Sequence, residues 1–373
     1  MLKAKILHIT RYEKLKDWYF KYERLLLPGT LVFGFVVDAI TFRTIDTTSA
    51  FILLGVHIVL AGSAILYINL YDAGKIRGLG WKMLYVRYGR LLVPFVLQLS
   101  FGALLSAAFI FYFFGGSFAV SWPFLIVIIL LAFSNEIFRD YYTRPVVQIG
   151  MYYFTLLTVS SLIFPYILKT ISGWAFVLAS AVSMVLIVLY IKLLSFRIKS
   201  FAEQRKIFIN ISIAILVVMN VFYFYNVIPP VPLSVSEDGI YFDIVRRGHG
   251  YVLTQEKYSF WEKIIPGTTV HLTSNQPLYL FTAVRAPSGL DATIVHHWQR
   301  YNESSETWES HDRLPFFISG GRALGYRGYS FKSVVEPGEW RVDVETESGR
   351  IFGRVNFDVE KVTAPVETKT VER

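Results

Sequence analysis

The chain has no cysteine. That absence removes disulfides, thiol catalysis, iron–sulfur clusters and cysteine-ligated zinc from consideration. Charge is scarce as well. Only 17% of the 373 residues are charged, against 54% hydrophobic, where a soluble domain carries about 25% charge. The common catalytic signatures are missing: no GxSxG elbow, no HExxH, no Walker A and no CxxC. A cytosolic enzyme, a disordered tail and a fibrous repeat are excluded on these grounds. What the chain has in abundance is aromatic side chains, 31 Phe, 23 Tyr and 8 Trp.

The net charge of +9 conceals two unlike parts. From Val227 onward there are 16 basic and 19 acidic residues, and before it 21 basic and 9 acidic. The basic excess therefore accompanies the apolar part. That is the pattern of a membrane protein, not of a nucleic-acid binder.

Seven apolar stretches approach the length of about 20 residues that a membrane crossing needs. They lie near 25–42, 50–71, 91–114, 119–138, 146–168, 173–195 and 207–227. One set of flanking segments, 1–24, 72–90, the stretch with Arg139 and Arg144, and the stretch from Lys192 to Lys206, holds nineteen Lys and Arg. The alternate connections hold only Arg43 and Lys169. The positive-inside rule then places the N-terminus in the cytoplasm and everything beyond Tyr225 outside it, in a bacterial inner membrane with a periplasmic domain. No cleavable signal peptide is expected. Ile9, Tyr12, Tyr19 and Tyr22 recur near helical spacing within 1–24. That segment is either an amphipathic helix on the inner leaflet or a solvated extension of the first span.

Pro229, Pro230 and Pro232 predict an extended, stiff linker over 228–235. Residues 236–360 show short alternating runs separated by Gly, Pro, Asn and Ser, which predicts eight or nine strands in an Ig-like antiparallel β-sandwich. The firmest hairpin is Trp340 to Val359. A tight turn at Ser348-Gly349 sets Asp343 opposite Arg354. Trp298 and Trp340 are expected in the core. Residues 361–373 are polar without period and read as a flexible tail.

Several stretches carry a resemblance. They are Gly34 to Thr41 with Ile45-Asp46, Asn135 to Arg139, Ile228 to Leu233, Phe281 to Pro287, Ile294 to Trp298, Gly320 to Tyr329 and Gly338 to Val342. In this order the chain resembles an uncharacterised bacterial membrane-protein family whose C-terminal part is a domain of unknown function, DUF2914. The resemblance implies the same architecture and no particular activity.

Ionisable residues within apolar spans need a reason. Asp38, near the outer end of the first span, and His57, in the second, are candidates for an outer-leaflet polar site. The alternative is that Asp38 is anchored by Arg43 or the connecting loop. Glu136 and Arg139, three residues apart, suit a helix-end ion pair or a polar pocket. His296, His297, His311 and Asp312 invite a zinc reading, but adjacent strand residues face opposite ways and spacing fixes no third ligand, so no metal is expected. Arg322 and Arg327, with Tyr326, Tyr329 and Trp308, could form a platform for an anionic ligand or glycan. The alternative is a hairpin whose arginines pair with acids of the same domain.

No cofactor is expected, and the partners to expect are membrane lipids and an envelope protein or glycan. The leading function is a non-enzymatic cell-envelope scaffold or binding protein. The runner-up is a transporter, lipid-handling or sensor protein using Asp38 and His57.

Overall fold

The computed structural model describes residues 17–18, 21–22, 29, 33, 36–37, 40, 47–76, 82–137, 144–231, 233–248, 250–257, 268–273, 276–286, 290–319 and 325–373. Among them are six substantial helices: α1 (Thr47–Asp72), α2 (Lys82–Phe114), α3 (Phe118–Ile137), α4 (Pro145–Leu168), α5 (Gly173–Arg197) and α6 (Lys199–Phe224). Five are long and apolar enough to cross a membrane, and α3 is apolar over Phe118–Ser134. Of the seven expected spans, five coincide with helices able to cross a membrane, and a sixth coincides with α3, whose apolar part is shorter. The first, 25–42, falls almost wholly outside the described residues, as does the segment 1–24.

Local chemistry sets the helix ends. Pro145 opens α4, where its missing N–H costs nothing. Gly74 closes α1 at φ 66°, with its N–H bonded to Tyr71 O and that of Lys75 to Leu70 O. This left-handed closure satisfies carbonyls that the helix leaves open. One boundary differs from expectation. Residues 196–206 were read as a connection, yet only Ile198 is extended (φ −130°, ψ 118°) and α6 starts at Lys199. Lys, Glu, Gln and Arg are good helix formers, so the helix runs on beyond the apolar stretch.

The chain divides into two compact units. The first holds the bulk of the helices. Here α4 is the most enclosed helix and α6 the least. The hydroxyls of Thr155, Thr158, Ser160 and Ser161 on α4 bond to carbonyls one turn back, which satisfies them without water. Asn69 of α1 donates to Gln148 Oε1 of α4 at 2.8 Å, and Tyr190 of α5 donates to Gly62 O of α1 at 2.6 Å. α5 and α6 meet through stacked Phe176 and Tyr223, with centroids 3.7 Å apart.

The second unit comprises 226–373 with two helix-connecting turns, 112–122 and 165–172. Ile171 packs on a core of Leu233, Val284, Leu290, Ile294, Val344 and Phe352. Pro229 lies so close to Gly116 that an added Cβ would come within 2.7 Å of its ring. The expected extended linker is instead turned and packed. Val231 N–H bonds Pro229 O, Leu233 N–H bonds Pro230 O, and Ile228, Val231 and Leu233 are buried. Burial of these three apolar side chains outweighs the preference of prolines for an open helix.

Among the described residues eleven strands follow: β1 (Ser234–Tyr241), β2 (Asp243–Arg247), β3 (Gly250–Glu256), β4 (Thr268–Leu272), β5 (Leu278–Arg285), β6 (Asp291–Asn302), β7 (Thr307–Ser319), β8 (Tyr326–Lys332), β9 (Gly338–Thr346), β10 (Ile351–Lys361) and β11 (Thr368–Glu372). They form three sheets, ordered β1-β5-β8, β4-β10-β9-β6-β7 and β11-β3-β2. Leu278 and Leu280 of the first sheet share a core with Trp298, Trp340, Val342, Phe357 and Val359 of the second. Two expectations are corrected. The supposed tail contains β11, whose alternation Thr368, Thr370, Glu372 against Lys369, Val371 is satisfied by antiparallel pairing with β3. The β region is also not wholly antiparallel, because β4 pairs parallel with β10.

The β9–β10 hairpin sets Arg354 opposite Asp343, as expected, but by another route. The loop is one residue longer than a two-residue turn, with Thr346 N–H bonded to Arg350 O and Gly349 at φ 80°. A bulge between Ile351 and Gly353 restores the register. The bulge also turns Phe352 into the core, where strict alternation with Arg354 and Asn356 would set it on the polar face.

Candidate functional site

Two surfaces of the β unit carry clustered chemistry. The first lies on β5 and β8. Arg327, Tyr329 and Phe331 alternate with Tyr326, Gly328 and Ser330, and strand geometry sends the two sets to opposite faces. Tyr326 packs into the core, and Ser330 bonds inward to His296 and Trp298. Outward, Tyr279 sits opposite Phe331 and Phe281 opposite Tyr329. Ring centroids are 5.5 Å apart for Tyr279 and Phe331, 6.2 Å for Tyr279 and Tyr329, and 6.3 Å for Tyr251 of β3 and Tyr329. Buried Phe281 supports the row from below. Tyr329 keeps 46% and Phe331 55% of its surface in solvent. Arg327, opposite Ala283, closes one end. The result is an exposed aromatic shelf with one cation at its edge.

The second surface is the polar face of β6, β7, β9 and β10. Asp343, almost fully buried, accepts from Arg354 Nε at 2.5 Å and Nη2 at 2.9 Å. Glu345 accepts from Arg313 Nη2 at 2.5 Å and lies 3.6 Å from His297 Nδ1. Burial raises the Glu345 carboxyl above its ordinary pKa. His297 and Arg313 pull it back, and Asp343 pushes the same way as burial.

Arg341 Nε donates to Gln299 Oε1 at 2.7 Å, and its guanidinium lies 4.3 Å from the Trp308 ring. Trp308 pairs with Tyr301. Burial, and then nearby Arg354, lowers the Arg341 pKa. Arginine can only donate, so Gln299 must present its oxygen to Arg341. Its Nε2 lies 2.9 Å from His297 Nδ1 and 3.4 Å from His297 Nε2, beside the ring and not along one lone pair. His297 Nε2 in turn meets Ser310 Oγ at 2.8 Å.

This chain of contacts bears on chemistry. Ser310, His297 and Glu345 stand in the order of a nucleophile, base and orienting acid. Glu345 is held by Arg313 and, at 3.6 Å, stands beyond hydrogen-bond distance of His297 Nδ1, so the third contact of such a relay is not made.

The other histidine of the pair, His296, is fully buried. It meets Thr282 Oγ1 at 2.9 Å and Ser330 Oγ at 2.9 Å, and burial pushes its pKa down to about 3. Among the described residues no group of three or more His, Asp or Glu could hold a metal ion.

Of the residues singled out from the sequence, Asp38, Arg139 and Arg322 lie outside the described residues. Glu136 is in the last turn of α3, with its side chain outside them. His57 is half-buried on α1, and its Nδ1 is enclosed without a hydrogen-bond partner among the described residues. Arg327 and Tyr329 share the outer face of β8, Tyr326 faces the opposite way, and Trp308 belongs to the polar face of the other sheet with Arg341. The expected single platform is thus divided. Tyr251 and Tyr279 were missed because their partners are far away in sequence, whereas Phe331, two residues after Tyr329, was legible from alternation alone. The polar network left a trace, the alternation of Arg341, Asp343 and Glu345 with Trp340, Val342 and Val344.

The strands that carry the network, β6 to β10, coincide with the one stretch where a known family is matched. Residues 291–359 match DUF2914, a protein family of unknown function. The DUF2914 match takes in His297, Gln299, Ser310, Arg313, Arg341, Asp343, Glu345 and Arg354, and also Tyr329 and Phe331 of the shelf. No curated protein matches the chain. Among solved structures, β-glucosidase from Listeria innocua in complex with gluconolactone is similar at 14% identity and TM-score 0.18, over 31% of this chain and 17% of that one. Alkylpurine DNA glycosylase AlkC of Pseudomonas fluorescens, bound to DNA containing an abasic site analog, is similar at 7% identity and TM-score 0.23, over 82% of this chain and 96% of that one. The chain thus spans about a sixth of the β-glucosidase, and likenesses this slight carry no argument about fold or activity.

Proposed function

We propose that the chain is a non-enzymatic, multi-pass protein of the bacterial inner membrane whose periplasmic, Ig-like β-sandwich binds an envelope glycan. The aromatic shelf of Tyr279, Tyr329 and Phe331 is the observation that carries this reading. Exposed rings in a row suit the C–H faces of pyranose sugars, and Arg327 at the edge suits a hydroxyl or carboxylate. The charge bias across the helix connections supports the orientation, since the turns grouped with the β strands are the ones poor in Lys and Arg.

The test uses the full chain in detergent. Binding of chitotetraose and of a uronic-acid oligosaccharide is measured by titration calorimetry, with Tyr329→Ala and Phe331→Ala as variants. Both positions are exposed, so the variants should fold and lose binding about tenfold or more. Equal binding by wild type and variants, or none by wild type to either sugar, sinks the shelf as a glycan site. A phosphatase reporter fused after Arg373 should be active, and an inactive one would put the domain on the other side.

The enclosed His57 Nδ1, without a hydrogen-bond partner among the described residues, favours a second reading, a transporter, lipid-handling or sensor protein with a polar site around His57 and Asp38. His57→Ala that keeps expression and folding but loses cellular function supports it. Unchanged function removes it.

A further inference from the structure

The described helices carry three asparagines whose side chains are placed, and they are not alike. Asn69 bonds Gln148 and the carbonyl of Ile65. Asn220 bonds Ser180 and the carbonyl of Leu216. Asn210, on α6, is exposed and has no hydrogen-bond partner among the described residues. It lies four residues past Lys206, about 6 Å further along the helix axis, within the apolar part of a helix able to cross a membrane. Lipid tails offer an amide nothing to bond, so an exposed amide at this depth is costly unless another polypeptide meets it.

The residues around it form a stripe. Glu203, Ile207, Asn210, Ala214, Val217 and Val221 are all exposed, at alternating spacings of four and three. That is the spacing of one helix packed along another. The opposite side of α6, with Phe201, Phe208, Ser212 and Met219, is the buried one. Small Ala214 beside Asn210 permits close approach.

We propose that two copies of the chain pair in parallel through this face of α6, with each Asn210 bonded to the Asn210 of the second copy. The proposal rests on the membrane reading above. An amide is both donor and acceptor, so it satisfies itself across a two-fold axis, where the same patch must serve both partners. Glu203, where α6 leaves its apolar stretch, lies 3.9 Å from Lys199 of its own helix, so the pairing rests on the apolar part of the stripe from Ile207 to Val221.

The absence of cysteine makes the test direct, since any introduced cysteine is the only one. Ala214→Cys and Val217→Cys are made in the full chain, oxidised in native membranes and run on a non-reducing gel. Both should give covalent dimer. Leu189→Cys on α5 and Val59→Cys on α1, equally exposed, should stay monomeric. In the Val217→Cys background, Asn210→Leu should weaken association about tenfold, the scale of one interhelical hydrogen bond, and Asn210→Gln should preserve it. Alkaline carbonate extraction of the same membranes reads the underlying assumption. If the chain stays in the pellet and Val217→Cys dimerises no more than Leu189→Cys, or Asn210→Leu changes nothing, the pairing is overturned and the membrane reading stands. If carbonate releases the chain, the membrane reading falls and the pairing with it.

Discussion

Arg354 grips Asp343 with two hydrogen bonds across β9 and β10, and the carboxylate it holds is almost entirely out of water. A buried charge is tolerable only while paired. Arg354→Met should therefore cost about 3–5 kcal/mol, the penalty for leaving a carboxylate alone in the interior. Arg354→Met combined with Asp343→Leu should recover much of that. Urea titration of the purified chain, followed by intrinsic fluorescence, reads both. An Arg354→Met variant as stable as wild type would show the carboxylate to be solvated.

His296 gives the β unit an acid limit. Its folded pKa, about 3, lies below the ordinary 6.5. The unfolded chain takes up a proton below pH 6.5 that the folded chain refuses. Stability is thus fully present above 6.5 and falls as pH drops toward 3, by up to about 1.4 kcal/mol per pH unit. Glu345, raised by burial, has the opposite sign. Its contribution is present below about 4.5, the ordinary value, and is lost as pH rises through its folded pKa. His296→Gln, which can still bond Thr282 and Ser330, should flatten the loss between pH 6.5 and 4 in thermal melts. A slope unchanged by the substitution would assign acid sensitivity elsewhere.

Gly328 marks the closest approach of β8 to the neighbouring sheet. An added Cβ would lie 2.5 Å from the Phe316 ring. Gly328→Ala should cost about 1–3 kcal/mol through overpacking. The displaced ring also touches His296, with centroids 4.9 Å apart, so hydrogen exchange in β6 should rise. Wild-type stability in this variant would show that Phe316 can swing aside freely.

Much of the architecture was legible because it rests on local composition. Apolar runs of membrane length marked five of the long helices and α3, though α2 and α6 begin eight or nine residues before their apolar stretches, and alternation marked most strands. The Arg354–Asp343 pairing was legible because a hairpin counts residues from its own turn. The misreadings were of two kinds. The linker and β11 looked open because their composition is polar or Pro-rich, and only distant partners bury or pair them. Phe352 changed face because a bulge is invisible to a two-residue period. Of the site, the tyrosine and arginines of β8 were noticed, but grouped by closeness in sequence. That grouping put Tyr326 and Trp308 with Tyr329, although alternation and a different sheet separate them.

By itself, then, the sequence determined the partition into an apolar helical part and a polar β part, the uneven charge of the helix connections and the faces of the strands. These follow from hydropathy and periodicity, which act over a few neighbouring residues. The tertiary structure alone decided that Tyr251, Tyr279, Tyr329 and Phe331 share one surface, that Arg341 fixes the amide of Gln299 beside His297, and that Asn69 and Asn220 are paired while Asn210 faces outward. Each of these depends on which strand or helix lies beside which. That choice is made by burial summed over the whole unit, and no short window of sequence contains it.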